Sequence, residues 1–442
     1  MTRRRTVWTV AASVAVLLGA AALAAAVWVP NEAQLAQMAA GRLTQALGVP
    51  VTIGSLHWQL LPQPLVTMRD ARTQQDPPVT IGQVTGWPRL GPLLLHRQIS
   101  FRRVEATGVS LPQVSLRALS GAESRMDGSA GGWHAAPVAV ERLEFHDLVW
   151  IGRRQIPLEF DGAIDFDAAW RPRHAEAERP GVTPPVKLVL DREGGEDRWR
   201  ADTTVGGGTW NGTLALTQPS PGQMRLTGEL APKGIEVEQM LAAFKRKTVV
   251  RGRVSGSTTL EAEGQGIGAL VQSLHTRTRF SLAPATLLHF DLDKAIRSVG
   301  KEHEGNTRLD SLSGQLDTQN AADGIVLRYT GLKAHSGVLT ASGSATLAKR
   351  RVDALLAVDL VDGLVGVPLK ITGPVTQPEV SVPAGAVAGA AVGTAVLPGV
   401  GTAIGARIGG MFGKLFGGGK DKAPPASASA PAPATRKPAP AR

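Results

Sequence analysis

The feature that most constrains this chain is a two-residue alternation of apolar and polar side chains, running from Val49 to about Pro383. In "QIPLEFDGAIDFDAAW", Ile156, Leu158, Phe160, Ile164 and Phe166 share one parity, and Glu159, Asp161, Asp165 and Asp167 hold the other. "TWNGTLALT" sets Trp210, Gly212, Leu214 and Leu216 together, and "LTASGSATL" sets Leu339, Ala341, Gly343, Ala345 and Leu347 against Thr340, Ser342, Ser344 and Thr346. "RVDALLAVDLV" does the same with Val352, Ala354, Leu356, Val358 and Leu360. Successive strand side chains project to opposite faces, so these segments build a sheet with one oily and one wet face. One wet face is the mark of antiparallel pairing, because parallel sheets are covered by helices on both sides. The dipeptides "DG" at Asp161 and Asp323 and "NG" at Asn211 read as turns between runs. Fifty-one glycines, 30 prolines and 4% aromatics fit many strands and turns better than a helical bundle. The expected fold is mainly β: a long antiparallel β-meander with a few short helices and an N-terminal transmembrane helix.

The helical exceptions are short. Residues 31–47 carry Leu35, Met38, Leu43, Ala46 and Leu47 near one face, with Asn31 suited to the N-cap and Gly48 to the stop. "GIEVEQMLAAFKRK" (234–247), "GIGALVQSL" (266–274) and "DLDKAIRSV" (291–299) show helical spacing, whereas the Pro- and charge-rich 171–185 reads as a loop.

Ahead of the β region, Val7 to Val29 contains no charge. At about 1.5 Å per residue this run is long enough for a hydrocarbon core of about 30 Å. Trp8 and Trp28 stand at its two ends, where indoles favour the interface, and Arg3, Arg4 and Arg5 place the start in the cytoplasm by the positive-inside rule. A cleaved signal peptide ending at Ala24-Ala25-Ala26 is the competing reading, against which the apolar run is long. The expectation is a single-pass membrane protein with its N-terminus in the cytoplasm and the bulk of the chain exported.

After Pro383 the chain changes character. Gly385, Gly389 and Gly393, then Gly401, Gly405, Gly409, Gly413 and Gly417, recur every four residues among Ala, Val, Ile, Leu and Phe. That spacing lines one helix face with glycine, as in packed membrane helices, with Pro398-Gly399 dividing a hairpin; a flexible glycine-rich linker is the alternative. The Pro/Ala/Ser/Lys tail has the composition of disorder. The sequence therefore divides into a basic stub (1–6), an anchor (7–29), an amphipathic helix (30–48), an N-terminal β-groove region (49–230), a C-terminal β region with short helices (231–383), a glycine-patterned hairpin (384–419) and a tail (420–442).

Reactive chemistry is hard to find. The chain has no cysteine, so neither a disulfide framework nor a thiolate metal site exists. Its nine histidines include no HExxH, and His134 and His146 fall on different segments. Ser298-Val299-Gly300-Lys301 matches S-x-x-K without a partner motif, and Gly264–Gly268 and Gly399–Gly405 do not follow the strand that a phosphate loop needs. Asp165 and Asp167 share a strand face but lack further oxygen donors for a cation, so they read as solvated. The net charge of +11 sits largely in Arg3–Arg5 and the tail, without the aromatic-studded basic stripe of a nucleic-acid binder. No enzyme, cofactor, metal or nucleic acid is expected.

"GVPVTIGSLHWQLLPQPLVTMRDAR" (48–72), just after the anchor and short helix, resembles the start of the AsmA family of inner-membrane-anchored envelope proteins. The C-terminal half is similar to that family's C-terminal domain: "GRVSGSTTLEAEGQGIGALVQSLHTRTRFSLAPATLLHFDLDKAI", then "LDSLSGQL", "GVLTASGSATLAKRRVDALLAVDL" and "GVPLKITGPVTQPEVSV". The resemblance implies a long, curved, taco-like β-groove, anchored in the bacterial inner membrane with the bulk of the chain in the periplasm, whose apolar inner face holds lipid acyl chains. It also implies a role in phospholipid transport and outer-membrane assembly or homeostasis, with phospholipids and outer-membrane assembly or lipid-transport proteins as partners. The lipid-facing candidates are Ile156, Leu158, Phe160, Ile164, Phe166, Leu214, Leu216, Leu339, Leu347, Val352, Leu356 and Val358. A scaffold that assists outer-membrane protein assembly without touching lipid is the alternative.

Overall fold

The computed structural model describes residues 31–381 except 97, 117–133, 168–170, 266, 299, 322–323, 338, 361–366 and 376. The anchor residues Arg3, Arg4, Arg5, Trp8 and Trp28 and the glycine-patterned segment with Gly385, Gly389, Gly393, Gly401, Gly405, Gly409 and Gly413 lie outside the described residues. Within the described residues no helix is long and apolar enough to cross a membrane.

Hydrogen bonding joins the described strands into one sheet. β1 (Val51–Thr52) and β2 (Ser55–Gln59) both pair with β3 (Leu65–Thr73), which leads to β4 (Thr80–Pro88) and β5 (Gln98–Pro112). β6 (His134–Ile151) lies parallel to β5. Then β7 (Pro157–Phe166), β8 (Pro172–Glu178), β9 (Lys187–Arg192), β10 (Arg198–Val205), β11 (Gly208–Ser220) and β12 (Gln223–Lys233) follow antiparallel in chain order. β12 and the short β13 (Ile235–Glu236) pair with β14 (Val250–Gly264), and β14 pairs with β15 (His275–Leu287). β16 (Thr307–Leu309) and β17 (Ser311–Ala321) both pair with β15. β18 (Gly324–Ser336), β19 (Leu339–Ala348), β20 (Arg351–Leu360), β21 (Val367–Pro374) and β22 (Glu379–Ser381) complete the run.

The architecture is thus the expected mainly β meander, but the sheet is mixed, not wholly antiparallel. The β5–β6 seam is parallel: Gln98 faces His134 at one end and Pro112 faces Ile151 at the other. The boundary drawn at 230/231 falls inside β12, whose Leu230 faces Gly212 on one side and Thr258 on the other. Pairing is continuous there.

Five α-helices accompany the described strands, besides a 3-10 turn at Gln113–Ser115. α1 (Glu32–Leu47) starts where Asn31 Oδ1 accepts from the Gln34 N–H at 2.8 Å and stops at Gly48, whose φ of 70° is the left-handed cap that glycine takes without strain. α2 (Leu90–His96) was not anticipated: its "LGPLLLH" is short and opens on Gly-Pro, which reads as a break. α3 (Val237–Ala243), α4 (Ile267–Ser273) and α5 (Leu292–Arg297) fall within the three segments of helical spacing.

Two further corrections concern strands. The 171–185 segment is strand over β8, where Ala175 and Ala177 face β9 Leu190 and Leu188. Alternating alanine among charges carries too little hydrophobic contrast to announce a strand, and only 179–186 remains as loop. Asp161-Gly162 and Asn211-Gly212 lie inside β7 and β11 and are not turns.

Packing is concentrated at two places. α5 and the strands around it seal a cluster of Leu282, Phe290, Leu292, Ile296, Leu339, Val358 and Leu369. α3 helps close a smaller one of Val186, Val205, Ile235 and Ala243. Elsewhere the strands' main contacts are with their sheet neighbours.

Candidate functional site

One apolar face can be followed from strand to strand by register. Trp58 faces Val66, which faces Gly86, which faces Val104. Across the seam Val104 meets Leu143, then Ile164, Ala175, Leu190 and Ala201. The row continues through Gly212, Leu230, Thr258, Thr278, Leu316, Tyr329, Ala345, Ala354 and Ile371. Thr258 and Thr278, the polar pair in that row, satisfy each other at 3.0 Å between hydroxyls.

Two bulges keep the face continuous where strict alternation would invert it. In β6 the apolar parity changes between Phe145 and Leu148, and in β18 between Tyr329 and Leu332. Asp147 (φ 52°) and Gly331 (φ 57°) sit in those steps, each in the left-handed region that a one-residue bulge uses. The extra residue resets the side chains, so Leu148 and Trp150 remain on the face of Leu143 and Phe145.

The opposite face is held by cross-strand ion pairs. Arg103 joins Glu105 and Glu144, and Arg142 joins Glu144 at 2.7 Å and both Asp165 oxygens at 3.1 Å. Lys187 bonds Glu176 at 3.0 Å, and His174 lies 2.8 Å from Asp191. The Lys187 bond holds the Glu176 carboxyl below its ordinary value, and the His174 bond does the same for Asp191. Asp165 and Asp167, one residue apart, are both engaged by arginine, Asp167 by Arg192. No group of three His, Asp or Glu able to hold a metal occurs among the described residues. Ser298, the serine of the S-x-x-K match, bonds the Lys294 and Glu302 carbonyls at the end of α5.

The inward candidates divide into two sets. Leu339 and Val358 are 1% and 0% exposed, buried in the α5 cluster, and Leu356 packs against them. Leu339 and Val358 therefore contact only protein and leave the lipid-facing set. Ile156, Leu158, Phe160, Ile164, Phe166, Leu214, Leu216, Leu347 and Val352 are half-buried, neither sealed as a sandwich core would be nor fully in water. Phe160 is partly covered by the buried Arg179, whose guanidinium lies 5.7 Å from the Phe160 ring and 5.9 Å from Phe244. Burial pushes the Arg179 guanidinium down from its ordinary value, but not to the point of losing its charge.

The small residues of the face do not all leave space. A Cβ on Gly212 would meet the Glu229 carbonyl oxygen at 1.9 Å, and one on Gly343 would meet that of Leu355 at 2.1 Å. These glycines admit a neighbouring strand's backbone and open no room for a guest. Searches of protein-family models, curated proteins and solved structures gave no match to this chain.

Proposed function

We propose that this chain is a membrane-anchored lipid-binding protein of the bacterial envelope, of the AsmA type, with residues 7–29 spanning the inner membrane, its N-terminus cytoplasmic and its β-sheet in the periplasm. Its work is to carry or hold phospholipid acyl chains in the service of phospholipid transport and outer-membrane homeostasis. The observation that carries this reading is the half-buried apolar face from β2 to β12. Leaving such a face in water forfeits about 25 cal/mol for each Å² of apolar surface, and acyl chains supply the missing layer without a second sheet. Curling of that face into a groove is part of the proposal, and bulges of the kind found at Asp147 and Gly331 bend strands in the way a groove requires.

The test uses photo-crosslinking amino acids in the full chain expressed in cells. Placed at Leu158, Leu214 or Leu216, they form adducts with phospholipid, visible as a mass increase; placed at Glu159, Thr213 or Thr217 on the other face, they do not. Equal labelling of both faces, or none at either, overturns the carrier reading. The alternative, a scaffold for outer-membrane protein assembly, draws on the C-terminal end, where Leu339 and Val358 already have protein neighbours. It predicts protein adducts in place of lipid ones.

A further inference from the structure

The two most exposed large hydrophobic side chains among the described residues stand on one rim of the sheet. Leu61 is 81% and Leu95 78% exposed, and Leu60 beside them is 51% exposed. Leu60 and Leu61 form the turn between β2 and β3; Leu95 lies on α2, between β4 and β5. Register places both at the same end, since Gln59 faces Leu65, Val66 faces Gly86 and Pro88 faces Phe101. At about 4.8 Å per strand the two tips are roughly 10 Å apart. Half-buried Trp58 and Trp87 lie just inside the same rim. A single exposed leucine is ordinary, but leucines on adjacent tips form an apolar edge, flanked by Trp58 on one face of the sheet and on the other by Trp87, over whose ring the Arg103 guanidinium lies at 5.0 Å.

Where the chain enters the sheet is a second, independent observation. Glu32, the first residue of α1, lies 2.6 Å from His57 Nδ1. His57 precedes Leu60 by three residues, about 10 Å of strand. The uncharged run Val7–Val29 ends two residues before Asn31, the cap of α1. A span there therefore delivers the chain to the rim that carries the exposed leucines.

We propose that this rim docks on the bilayer, with Leu60, Leu61 and Leu95 inserted in the leaflet from which the chain emerges and Trp58 and Trp87 at headgroup depth, where indoles partition. The proposal rests on the anchor reading above and adds to it a defined contact surface and orientation: the strands of β2–β5 point at the membrane. Insertion removes from water side chains that no described residue covers.

The absence of cysteine makes the test clean. Leu61→Cys, Leu95→Cys and, at the opposite end of the same strands, Gln74→Cys are each labelled with an environment-sensitive fluorophore in the full chain, reconstituted into phosphatidylethanolamine–phosphatidylglycerol vesicles. All three replace exposed residues, so the fold is retained. The expected result is quenching by spin-labelled lipid about threefold or more stronger at residues 61 and 95 than at residue 74, and the reverse order with aqueous iodide. Quenching at 61 and 95 equal to that at 74, in protein that still floats with the vesicles, overturns the docked rim and leaves the anchor standing. Protein that does not float removes the anchor reading and the docked rim together.

Discussion

The backbone N–H of Asp147 donates to a carboxylate oxygen of Asp161 at 2.8 Å, tying the bulge of β6 to the middle of β7. The bond closes the step in which β6 changes parity, and so supports the continuity of the apolar face from the opposite side. Asp161→Ala should lower stability by about 1–2 kcal/mol, since a hydrogen bond to a charged group is worth about 1.5–3 kcal/mol and exposure to solvent weakens it. Asp147→Gly should be neutral or stabilising, because its φ of 52° suits glycine. Thermal denaturation of the two variants checks both signs.

Gly212 lies against the β12 backbone, with no room for a Cβ beside the Glu229 carbonyl. Gly212→Ala would drive a methyl into the Glu229 carbonyl, so the strands must part. Destabilisation of about 1–3 kcal/mol is expected, as for overpacked cores. Thr213→Ala, one residue on and facing water, should change stability by less than about 0.5 kcal/mol. Equal effects in a denaturant titration would contradict this account of the glycine.

Asp317 gives the sheet an acid limit. A hydrogen bond from Gln315, opposed by burial and reinforced by Arg277, holds its carboxyl below the ordinary 3.8. A carboxyl depressed in the folded state contributes stability that is present above its unfolded pKa and is lost as pH falls through the lowered folded value. Asp317→Asn should therefore be less stable than the parent at pH 7 and should lose less on acidification below about pH 4. Melting curves at stepwise lower pH would show the two converging.

Charge placed on the two faces of one strand should act differently. Leu214→Asp puts a carboxylate on the apolar face, where an unpaired charge is costly to cover, whereas Thr213→Asp leaves it in water. Phospholipid adducts formed by a photo-crosslinker at Leu216 should fall several-fold in Leu214→Asp and persist in Thr213→Asp. Circular dichroism confirms that both variants keep their strands.

Much of this architecture is legible from the chain alone, and the misses share a cause. Leu339 to Leu347 and Val352 to Val358 announce their strands because large apolar residues alternate with Thr, Ser and Asp. β8 does not, because its inward residues are Ala175 and Ala177. Gly162 and Gly212 mislead because a glycine after Asp or Asn signals a turn locally, and only the position of the neighbouring strand reveals it as a point of close backbone approach. The parallel seam depends on the route of residues 113–133, which no local pattern encodes. Likewise, Leu339 and Val358 look identical to Leu214 in sequence; only tertiary packing places them under α5.

Almost every strand of this sheet neighbours its predecessor along the chain, so most contacts close over short loops, at little entropic cost. A chain folding from its N-terminal end can therefore add each strand to a growing edge as it appears, without waiting for distant residues. The β5–β6 seam departs from this pattern: 21 residues separate Pro112 from His134, and all must be present before β6 can register. Until then β1–β5 pairs without help from the rest of the sheet, and so stands as a separate early folding unit.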